Sequence, residues 1–170
     1  MQYIPIQLDD DLSPSIAAAA LLMSNQSETD LGNLTGGQSG QLAFLKAITL
    51  IPDAKQRSPF RQRVLGLLDK SGNQQIKNAA ITAIGSLTNN QAESFVLLGP
   101  LITDDSLRVS TVRSMLKIPI KERDSETSMH VTRFLVDLAE KTPAAERTSP
   151  TFVDAMQLAD QLLAIIPSDQ

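Results

Sequence analysis

The chain carries a single histidine, His130, and no cysteine. His130 is the side chain best suited to acid–base work near neutral pH. Glu126 stands four residues before it and Asp137 seven after, so on a helix either carboxylate falls near its face. The Glu126–His130 spacing is also that of an ordinary helix-surface pair. Catalysis needs a positioned partner within hydrogen-bonding reach, and a lone helical histidine is more often structural, so no catalytic residue is assigned. The serines have no base nearby in sequence and no nucleophile-elbow motif. Gly36-Gly37-Gln38-Ser39-Gly40 is glycine-rich but lacks the lysine–hydroxyl pair of a phosphate loop. Asp9, Asp10 and Asp11 are consecutive rather than alternating, which suits a solvated acidic run better than a calcium loop. Asp104 and Asp105 read as helix caps, with Arg108 close enough to pair with one of them. Lack of cysteine excludes disulfide scaffolds, cysteine nucleophiles and thiolate metal sites. Neither a metal nor an organic cofactor is expected, and the chain is not expected to be an enzyme.

Charge is distributed in three blocks. Residues 1–54 carry one base and six acids, residues 55–123 eleven bases and five acids, and residues 124–170 three bases and eight acids. The total is −4, with a basic middle between acidic thirds. A net acidic chain is a poor candidate for general nucleic-acid binding. Arg57, Arg61, Arg63, Lys70, Lys77, Arg108, Arg113 and Lys117 would have to carry such a role, with Phe60 as the one nearby aromatic. The bland reading is that these charges complement their neighbours or face water.

The elements that would position these groups read as helices. Tyr3 to Leu8 alternates like a strand, with Pro5 restricting it to an edge or an extended arm over residues 1–12. A single helical domain is expected over residues 13–170. Its first helix opens at Ser13-Pro14 and runs to Met23. Asn25 to Gly40 reads as a long loop. Further helices are predicted over Gln41–Ile51, over Phe60–Lys70 with Ser58 as cap, and from Gln74 or Gln75 to Leu87. Gln91–Ile102 follows, interrupted at Gly99-Pro100. The last three are Ser106–Ile118, Ser125–Lys141 with a cap at Asp124 or Ser125, and Ser149-Pro150 to Ile166. Ala79, Ala83, Leu87, Phe95, Leu98, Val112, Leu116, Phe134 and Leu158 are the predicted core. The opening residues lack a basic-then-apolar leader and no apolar run approaches a membrane span, so a cytoplasmic protein without membrane contact is expected.

Val64–Leu87 and Phe95–Ile118 align without gaps at a period of 31 residues. Asn73 falls on Asp104, Ile76-Lys77 on Leu107-Arg108, Ile81 on Val112, Ile84 on Met115 and Leu87 on Ile118. Gln41 to Ile51 is a weaker copy, 36 residues before Lys77 to Leu87. Over residues 60–118 the chain resembles the HEAT-like, or armadillo-like, family of helical repeats: an apolar helix, an Asx turn, then a helix opening with an apolar–basic pair. The family usually keeps alanine soon after that pair; Ala79 and Ala80 fit, whereas Ser110 and Thr111 depart. The resemblance implies an all-α fold, a short alpha-alpha superhelix of stacked antiparallel hairpins. It also implies a non-catalytic adaptor or scaffold that binds another protein, and the basic middle would suit a partner with an acidic segment. Lys77, Arg113 and Lys117 are the expected contact residues, with Arg61, Arg63 and Arg108 beside them. A few relatives act as lyases or bind nucleic acid, so a ligand-handling role and weak nucleic-acid binding stand as alternatives.

Overall fold

The computed structural model describes residues 13–23 and 37–166. The expected arm, its strand and most of the 25–40 loop lie outside the described residues. Every regular element described is helical: α1 (Ser13–Met23), α2 (Gly37–Leu50), the single turn α3 (Ala54–Arg57), α4 (Arg61–Lys70), α5 (Gln74–Ile84), α6 (Gln91–Leu98), α7 (Arg108–Lys117), α8 (Ser125–Lys141) and α9 (Pro150–Leu163). Short 3-10 turns occupy Ser58–Phe60, Gly99–Thr103, Ile120–Glu122 and Ala144–Glu146.

Capping side chains set several helix starts. Asn73, Asp124 and Ser149 accept amide hydrogens at the first turns of α5, α8 and α9. Two expectations are corrected here. Gly37–Gly40 is helical rather than loop, so α2 begins a turn earlier than predicted. Ser58 caps nothing: its hydroxyl donates back to the Ala54 carbonyl, and Asp53 caps the extra turn α3 instead. α6 stops where Gly99-Pro100 interrupts it, and the chain tightens into a 3-10 turn through Thr103. Proline supplies no amide proton there, while Gly99 lies so close to Thr127 that a Cβ would meet the threonine methyl at 2.6 Å.

Helices that follow one another pack in pairs: α1 with α2, α4 with α5, α6 and its 3-10 extension with α7, and α8 with α9. The second helices also pack in succession, α2 on α5, α5 on α7 and α7 on α9. Named contacts show that these neighbours run parallel. Gln38 at the start of α2 accepts a bond from Asn73 at the start of α5. Further along, Asn78 bonds Ser106 and Ser110, and Ser114 bonds the Ile81 carbonyl. Arg113 of α7 then pairs with Asp154 of α9. One layer of second helices thus lies against one layer of first helices.

The core lies between these layers. Ala83, Leu87, Phe95, Leu98, Val112 and Leu158 are buried as predicted, whereas Ala79, Leu116 and Phe134 are only partly buried. Positions 31 apart carry matching bonds. Asn73 Oδ1 accepts from the Gln75 amide and Asp104 Oδ1 from the Ser106 amide; the Asn73 and Asp104 carbonyls accept from the Lys77 and Arg108 amides. Ile76 and Leu107, Ile81 and Val112, Ile84 and Met115, and Leu87 and Ile118 are all buried.

Candidate interaction surface

The bases of the central block divide by what their side chains touch. Arg61 is buried: its guanidinium donates to Ser94 Oγ at 2.7 Å and to the Asn89 carbonyl at 3.3 Å, with Glu93 at 3.5 Å. It ties the start of α4 to the start of α6 and is unavailable to a partner. Arg57 bonds the Ser86 and Pro52 carbonyls. Arg108 donates to the Ile102 carbonyl at 3.0 Å, pairs with Asp105, and lies 5.0 Å over the Phe134 ring. Arg123, inside the same block, is buried and bonds the Ile118 carbonyl and Gln161. Burial lowers its guanidinium pKa from the usual value, and a guanidinium stays charged all the same. Arg63 is half-buried over Phe44 at 5.6 Å. Arg61 and Arg108, expected at the contact surface, are therefore corrected to structural roles. Carbonyls at helix ends have lone pairs with no intrahelical donor, and a guanidinium supplies several fixed donors to meet them.

Arg113 and Lys117 remain on the outside of α7. Together with Val109, 39% exposed, they form one outward stripe at four-residue spacing. Arg113 is partly held by Asp154, Nε to Oδ2 at 2.8 Å. Lys117 has no ion pair among the described residues. Lys77 does not join this stripe. In the parallel register of α5 and α7 it stands level with Arg108, nine residues before Lys117, or about 14 Å along the helix axis. It lines a separate groove of about 450 Å³ with Leu65, Leu68, Asp69, Leu97, Leu101 and Leu107.

Of the two residues that depart from the alanine pattern in α7, Thr111 keeps its hydroxyl buried without a hydrogen-bond partner among the described residues, whereas Ser110 has a local reason that Ser114 shares. Ser110 Oγ donates to Asn78 Oδ1 at 2.7 Å, and Ser114 Oγ to the Ile81 carbonyl at 2.9 Å. They bind α7 to α5 along a seam of small side chains. The sequence offered only the substitution of Ala by Ser or Thr as a signal. Asp104, in the turn before α7, accepts from the Ser106 hydroxyl and amide, which hold its carboxyl below the usual 3.8. His130 is exposed and has no hydrogen bond or ion pair among the described residues, so neither Glu126 nor Asp137 positions it. No group of side chains among the described residues could hold a metal ion, and no described helix is long and apolar enough to cross a membrane.

No protein-family model matches the chain, and neither a curated protein nor a solved structure does.

Proposed function

We propose that the chain is a non-catalytic protein-interaction module, an adaptor or scaffold of the HEAT-like or armadillo-like kind acting in the cytoplasm. The reading rests on one observation, the parallel succession α2, α5, α7 and α9. Parallel second helices make one face, and each hairpin adds a ridge to it. On that face α7 offers Val109, Arg113 and Lys117, and α9, which Asp154 ties to Arg113, exposes Val153 and Asp160. A partner segment crossing the helices meets an apolar patch first and the unpaired ammonium of Lys117 next. An acidic residue at that point gives the complex its orientation and selectivity more than its affinity.

Capture from host lysate with wild type, Lys117→Glu and Arg113→Gln/Lys117→Glu tests this. The expected result is a protein that wild type recovers and both folded variants lose. Equal recovery by all three, or recovery of nucleic acid in place of protein, overturns it.

A further inference from the structure

The groove around Lys77 has a charge arrangement independent of the α7 stripe. α4 and α6 run side by side in parallel, tied at their starts by Arg61 and Ser94. Further along they leave a groove between Leu65 and Leu68 on one side and Leu97 and Leu101 on the other, with Leu107 also lining it. The α6 side rises into an exposed apolar ridge, Val96 at 51% and Leu97 at 41% exposure. Such a patch on a surface marks a contact site more often than a scattered apolar residue does.

Asp69 and Lys77 also line this groove, on α4 and α5. They carry opposite charges, and neither makes a hydrogen bond or ion pair through its side chain among the described residues. Lys77 acts on Asp104 only through space, as the smallest of the influences on that carboxyl. It is half-buried beside leucines. A two-fold interface brings the same patch of two subunits together, so that residue i of one meets residue j of the other and the reverse. A patch holding one unpaired acid, one unpaired base and an apolar ridge beside an apolar groove is complementary to itself. We infer that this groove is the interface of a symmetric homodimer, in which Asp69 of each copy pairs with Lys77 of the other and the Val96–Leu97 ridge packs into the opposing groove. The inference does not rest on the adaptor reading.

Sedimentation of the full chain over a concentration series tests it, with helical content checked by circular dichroism. Wild type is expected to dimerise reversibly. Asp69→Lys and Lys77→Asp each set two like-charge pairs across the interface by symmetry, and each is expected to weaken the dimer by about tenfold or more. An equimolar mixture of the two variants is expected to form a heterodimer of near wild-type affinity. One chain then presents a base at both positions and the other an acid at both, so each pair across the interface is again of opposite charge. The mixture reports on the interface even where one variant is less stable. A wild-type chain that stays monomeric overturns the inference. So does a dimer indifferent to either reversal, or a mixture that fails to associate.

Discussion

Asp104 is the residue whose local chemistry has the clearest consequence. The Ser106 hydroxyl and amide favour its charged form and lower its pKa. The folded chain therefore binds that proton less readily than the unfolded chain does. The resulting stability is present above the unfolded carboxylate value and is lost as pH falls through the folded one. Asn73 holds the equivalent turn with a neutral amide, its Oδ1 accepting from Gln75 at 2.8 Å. Asp104→Asn is thus expected to keep the turn and remove its titration. Urea midpoints measured from neutrality down to about pH 3 should fall less steeply for the variant than for wild type below about pH 4. Parallel curves would contradict the account. At the same scale, the guanidinium bonds explain why basic residues close in sequence do not all face outward. Arg57, Arg61, Arg108 and Arg123 are directed at backbone carbonyls. Composition cannot separate such an arginine from one that waits for a ligand.

At the scale of elements, the seam between α5 and α7 depends on an absent side chain. A Cβ at Gly85 would stand 2.7 Å from Ser114 Cβ and 2.8 Å from Ser114 Cα. Backbone cannot yield as a flexible side-chain end does, so the helices must separate. Gly85→Ala is expected to destabilise by about 1–3 kcal/mol, the range for overpacking a close contact, as read from chemical denaturation. An unchanged midpoint would show that the seam is looser than described. Several helix boundaries were legible where a cap or a proline marked them. α8 spans the predicted Ser125–Lys141, and α9 starts at the Ser149-Pro150 signal. Ser58-Pro59 carries the same signal, yet the chain is already helical there because Asp53 has capped the preceding turn. Gly37 to Gly40 misled for a different reason. Their glycine content suggests a loop, but their backbone continues into a helix whose Phe44, Leu45 and Ile48 are buried, and packing outweighs a weak local preference.

At the scale of the whole molecule, the all-α architecture was readable because apolar spacing and punctuation agree along the chain. Asn73 and Asp104, 31 residues apart, accept amide hydrogens in the same way two residues on. The predicted contact residues were less legible. Sequence periodicity placed Lys77 with Arg113 and Lys117, but Lys77 stands at the start of α5 and Lys117 at the end of the parallel α7. Only the register between the helices separates the groove from the stripe. The central claim is that the face formed by the second helices is the one that meets a partner. A photoreactive side chain at Lys117, compared with one at Arg133 on the exposed side of α8, tests it in living host cells. A discrete adduct with another protein is expected from position 117 and none from position 133. Adducts from position 133 alone, or an adduct from position 117 to nucleic acid, would contradict it.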